Sequence, residues 1–183
     1  MSGKIASLAQ EQQKTKPKFE DIIGELIEGE RLKNALAFHA YLKGVKMLPR
    51  WSATNAWKIS YKGKFFLSIR AGVKKSNHEP HIYYGLEPGS WHIGHWLQSF
   101  AFPDDLSGEF EDKKSYDEFK EFIWANMQPC KHCMCCAPGH SGIYLGKKFE
   151  SVCYFRIENP DTEALEFTKR LFEYKRKVWS NKT

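Results

Sequence analysis

The chain is expected to fold as an α+β domain: a mainly antiparallel sheet of about five strands, packed with N-terminal, middle and C-terminal helices and carrying a cysteine-rich loop. Three observations lead to that class. Apolar residues recur at helical spacing in Ile22–Ile27, Phe119–Ile123 and Ala164–Val178. They alternate with polar ones in Trp57–Tyr61 and Phe65–Arg70, two runs parted only by Lys62-Gly63 and its neighbours. The elements follow one another as helices, hairpin, strand, helix, two strands and helix, with none of the regular strand–helix alternation of a parallel sheet.

Residues 1–18 are polar and rich in Gln and Lys, which predicts a disordered tail, so the single domain is expected over 19–183. Ile22, Ile23, Leu26 and Ile27 make the stripe of a first helix that Gly29 should stop. A second helix is expected from Glu30 to Leu42, with Leu32, Leu36 and neighbouring Ala residues inward and Gly44 at its C-terminal cap. The hairpin follows, although Lys is not a favoured residue in a two-residue turn. A third strand is expected over residues 81–86, ahead of the turn Glu87-Pro88-Gly89.

Residues 90–103 fit either type of element. A strand would put Trp91, Ile93 and His95 on one face, whereas a helix would bring His92 and His95 together as a weak metal pair. Ser115 with Glu118 three residues on reads as a capping box opening a helix that ends near Met127. Strands are expected over 142–149 and 151–157. The last helix then starts with Asn159 as cap, Pro160 in the first turn, and acids that complement its dipole.

Size and composition limit the function classes. A chain of 183 residues can bury a core without disulfides. No apolar run reaches membrane-spanning length, and the polar N-terminus lacks the apolar heart of a signal peptide, so no membrane partner and a cytoplasmic location are expected. Thiols stay reduced there, and clustered cysteines then point to metal or redox chemistry.

Four of the five cysteines stand at Cys130, Cys133, Cys135 and Cys136, with His132 and His140 nearby and Cys153 downstream. Soft thiolates at i, i+3 and i+6 can converge on one cation, so Cys130, Cys133 and Cys136 are expected to bind a zinc ion that orders the loop. The fourth ligand is His140, Cys135 or Cys153; adjacent Cys135 and Cys136 rarely point the same way in a turn. The same C-x2-C-x2-C run allows an iron–sulfur cluster, though His140 stands near the place of the next cysteine. A thiol-redox pair at Cys130 and Cys133 is disfavoured because the pair follows a helix instead of opening one. On a strand, Cys153 shares its face with Phe155 and Ile157, where a small buried side chain would also fit.

Charge is segregated. Between Arg31 and His78 there are eleven Lys and Arg and no acid, whereas Glu79–Met127 holds ten acids and three bases. Lys58, Lys62, Lys64 and Arg70 on the hairpin are the candidate contacts for an anionic partner, including single-stranded nucleic acid if neighbouring aromatics are free to stack. The high aromatic content equally suits a pocket for a small ligand. No phosphate-binding glycine loop, zinc-protease helix or nucleophile elbow is present, so the sequence argues for a binding module more than for an enzyme.

Overall fold

The computed structural model describes residues 2–72, 88–96, 106–129 and 140–180, without the side chains of residues 2–7, His95, Trp96, His140 and Cys153. The chain divides into two compact units, where the sequence led us to expect one domain over 19–183. The first comprises Met1–Ile93 with Glu158–Pro160, and the second Gly94–Ile157 with Asp161–Thr183.

The first unit holds three helices, α1 (Ser2–Thr15), α2 (Phe19–Leu26) and α3 (Gly29–Gly44). Its strands are β1 (Arg50–Ala53), β2 (Ala56–Tyr61), β3 (Lys64–Ala71) and the start of β4 (Trp91–Trp96). Where a disordered tail was expected over 1–18, α1 is helical and anchored by one amide. Gln12 is buried; its Nε2 donates to Asn55 Oδ1 at 2.6 Å, and its Oε1 accepts from the Asn55 amide at 2.8 Å. Composition foretold no such anchor, because a single matched amide pair leaves no periodic signature.

The hairpin forms as expected. β2 and β3 pair antiparallel, with Trp57 opposite Ile69 and Tyr61 opposite Lys64. Lys62 and Gly63 both take positive φ, 47° and 76°, the geometry whose twist matches the flanking strands. Trp57, Ile59, Leu67 and Ile69 are buried, together with Phe66 from the other phase of β3.

On α3 the buried residues are Asn34, Ala35, Phe38, His39 and Leu42; Ala35 is inward as expected, but Leu36 is exposed. Gly29, with φ 60°, opens α3 instead of closing α2. Phe19 meets the Trp57 ring edge-on at 5.2 Å, and Trp57 Nε1 donates to the Pro17 carbonyl at 3.0 Å.

The second unit holds the end of β4, a 3-10 turn (Ser107–Glu109), α4 (Lys113–Ala125), β5 (Met127–Pro129), β6 (His140–Tyr144), β7 (Lys147–Glu158) and α5 (Thr162–Ser180). β5 and β6 each pair antiparallel with β7. Leu106, Phe119, Ile123, Leu145, Phe155 and Leu171 form its core.

Several expectations shift here. α4 starts before the proposed capping box: Asp112 is its N-cap and accepts from the Ser115 amide at 2.8 Å, so Ser115 lies inside the helix. That contact lowers the Asp112 pKa. The helix ends at Ala125, and Met127–Pro129 is strand.

The run 142–149 is broken by a two-residue turn at Leu145-Gly146, with φ of 50° and 84°. Leu145 accepts left-handed backbone while burying its side chain in the core, so apolar burial overrides turn preference. α5 is capped by Asp161, whose Oδ1 accepts from the Ala164 amide at 2.8 Å. Asn159, the expected cap, belongs to the first unit instead: its Oδ1 accepts from the Trp91 amide and its own amide donates to the Trp91 carbonyl.

The described residues therefore contain seven strands instead of about five. β1 and β5 are three or four residues long, too short to show alternation. The expected strand 81–86 lies outside the described residues. No helix among the described residues is long and apolar enough to cross a membrane.

Candidate functional site

Cys130, Cys133, Cys135 and Cys136 lie outside the described residues; the strands on either side of them do not. Pro129, the last residue of β5, pairs with Val152 of β7. His140, the first residue of β6, pairs with the same Val152. Cα atoms of antiparallel partners are about 4.5–5.5 Å apart, so both ends of the segment 130–139 are held within about 10 Å of each other.

Cys153 is the next residue of β7, and the register slips around this point in both ladders. Gln128 pairs with Tyr154 and Pro129 with Val152, so Cys153 is passed over; on the other ladder the slip lies between His140 and Gly142. Ser151 has φ 56°, the left-handed backbone of a bulged residue. Extra residues in one strand of a pair re-aim side chains and gather beside functional sites. Two of the candidate ligands, His140 and Cys153, thus stand at or next to the point where the cysteine-bearing segment leaves and returns. Among the described residues no group of three His, Cys, Asp or Glu side chains could hold a metal ion.

The second candidate surface is the β2–β3 hairpin. Lys58 points outward from β2, Lys62 and Lys64 flank the exposed turn, and Arg70 is half-buried near the base. Lys58 stands opposite Ser68, and Arg70 opposite Ala56, so Lys58 and Arg70 are diagonal neighbours. The rings needed for base stacking are mostly committed elsewhere. Trp57 and Phe66 are buried, and Tyr61 and Phe65 are half-buried. Lys62 Nζ lies 5.9 Å from the Tyr61 ring centre.

The helical alternative for His92 and His95 is removed by β4. The helical spacing that the pair required is absent from this strand, Trp91–Trp96. His92 is buried.

Sequence reasoning missed Lys175. The buried line of α5 is Leu165, Thr168, Leu171, Phe172 and Lys175, whereas the expected one was Ala164, Phe167, Leu171, Tyr174 and Val178. Lys175 is only 4% exposed, and burial lowers its pKa from 10.5 to about 7. Its Nζ stands 4.6 Å from the Trp179 ring centre, one turn further on. The signal was present: steps of three and four from Leu165 reach position 175.

Two hollows open in the second unit. A broad groove of about 840 Å³ runs along α4 and the start of α5, with Phe122 and Phe167 in its floor and mostly charged side chains on its rim. A smaller cavity of about 200 Å³ lies where Phe110 and the 3-10 turn meet α4 and α5. No protein-family model matches the chain, nor does any curated protein or solved structure.

Proposed function

We propose that the chain is a metal-binding module whose zinc ion orders the segment 130–139. Cys130, Cys133 and Cys136 are the proposed thiolate ligands, with the fourth from His140, Cys153 or Cys135. The observation that supports this reading is the shared pairing of Pro129 and His140 with Val152, beside Cys153. Holding both ends of a short segment together reduces the entropy lost when its thiolates converge on an ion. Closed coordination by four protein ligands leaves no open position for substrate, so the ion is assigned to the fold and the module binds its partner elsewhere.

Elemental analysis of freshly purified protein tests the proposal. About one zinc per chain is expected, with thiols protected from titration until the ion is chelated. Cys133→Ser should lose the metal and lower the melting temperature, because binding to a site absent from the unfolded chain adds to folding free energy. Hydrogen exchange should then rise across residues 128–142, with the Gly63 hairpin unchanged. Metal-free protein with freely titratable thiols would refute the reading. Iron with inorganic sulfide and a brown colour would replace zinc by the cluster alternative.

A further inference from the structure

The smaller cavity of the second unit has a separate chemistry. Leu106 and Phe119 are buried in its floor, and the Phe110 ring packs 5.0 Å from that of Phe119 at 45°. Charged groups line the mouth, and most of them are already matched within the unit. Glu109 accepts from Lys177, Glu173 pairs with Arg176 at 3.0 Å, and Lys169 pairs with Glu166 at 2.6 Å.

Arg170 is the exception. Its guanidinium stands 5.5 Å from the Phe110 ring centre, and among the described residues it has no hydrogen bond or ion pair. Tyr174, one turn along α5, also makes no hydrogen bond among the described residues. Burial and the charge of Glu109 raise its phenol pKa, so the hydroxyl keeps its proton. The cavity thus combines an apolar slot with two donors at the mouth, while the two carboxylates among its described lining residues are held by bases.

We infer that this cavity binds a small aromatic monocarboxylate, with its ring against Phe110 and Phe119 and its carboxylate on Arg170 and Tyr174. The planar guanidinium donates two parallel N–H bonds to a carboxylate, a geometry that an amide or an amine cannot reproduce. Among the described residues, the two carboxylates that a cationic ligand would meet are already held by bases. The volume sets the size: pockets for drug-sized ligands run about 300–1,000 Å³, so about 200 Å³ suits a single ring. Among the described residues no cysteine or histidine lines the cavity, and its binding test does not involve the metal.

The test is a titration of the full chain with benzoate, benzamide and benzylamine at equal ionic strength, read by ligand-observed NMR. Benzoate should bind saturably at millimolar concentration, benzamide about tenfold more weakly, and benzylamine not at all. Arg170→Gln should weaken benzoate about tenfold and erase its advantage over benzamide. The side chain is exposed, so the variant should melt like the wild type. Tyr174→Phe should cost benzoate a few-fold through the lost hydroxyl. Equal binding of benzoate and benzamide to the wild type would overturn the inference. So would undiminished benzoate binding by Arg170→Gln, which would mark adsorption of an anion to a chain of net charge +6.

Discussion

Replacing Lys175 by Met should stabilise the protein, and most strongly in acid. Burial lowers the lysine pKa from 10.5 to about 7. At 1.36 kcal/mol per pH unit, keeping the charged form in the native state costs about 5 kcal/mol. Below pH 7 both folded and unfolded chains carry the proton, and the native state bears the whole cost. Between pH 7 and 10.5 the unfolded chain binds the proton and the folded chain does not, so wild-type stability rises with pH.

Met keeps the length of the side chain without the charge. Urea unfolding of both proteins from pH 6 to pH 9 should show the variant ahead by about 5 kcal/mol at pH 6. The gap should close by about 1.4 kcal/mol per pH unit above pH 7. Taking the difference between the two proteins removes every other titrating group they share. A gap that stays constant from pH 6 to pH 9 would refute the reasoning, as would a variant less stable than wild type at pH 6.

Two other experiments probe the strands. A Cβ at Gly94 would lie 1.7 Å from Tyr154 Oη and 2.3 Å from its Cζ, so Gly94→Ala should destabilise by about 1–3 kcal/mol. In a Tyr154→Leu background the same change should cost much less; equal costs in urea titrations would show that the ring is not the obstacle. Lys62→Glu with Lys64→Glu tests the hairpin as a nucleic-acid surface: affinity for single-stranded DNA should fall and its salt dependence should flatten. No binding by the wild type at low salt would remove that partner and leave small ligands.

The sequence revealed those elements whose apolar residues repeat often enough to show a period. β2, β3, α4 and α5 were all visible for this reason, and the Lys62-Gly63 turn was fixed by its shortness and its glycine. What stayed hidden depends on single contacts. α1 is held by Gln12 on Asn55, α4 is capped by Asp112 instead of opening at Ser115, and β5 is three residues long. Phase errors on α3 and α5 arose because each helix carries apolar residues on more than one line, and only packing selects between them. On α5 that selection places Lys175 inward and Tyr174 at a cavity mouth. The cysteine spacing was plain in the sequence. The meeting of Pro129 and His140 at Val152 was not, since it depends on bulges that follow no residue pattern.

The first unit takes its last three residues, Glu158–Pro160, from far along the chain, and this bears on how the protein is made. Asn159 bonds both backbone groups of Trp91, and the Pro160 carbonyl accepts from Asn34 Nδ2 at 3.2 Å. A nascent chain that has reached only Ile93 holds the helices and the hairpin, but Asn34 and Trp91 still await these partners. Completion requires about 65 more residues, several seconds of synthesis at about 5–20 residues per second. The N-terminal unit therefore cannot finish before most of the other unit has left the ribosome. It still finishes first, because the second unit must then wait for α5, whose Leu171 belongs to its core.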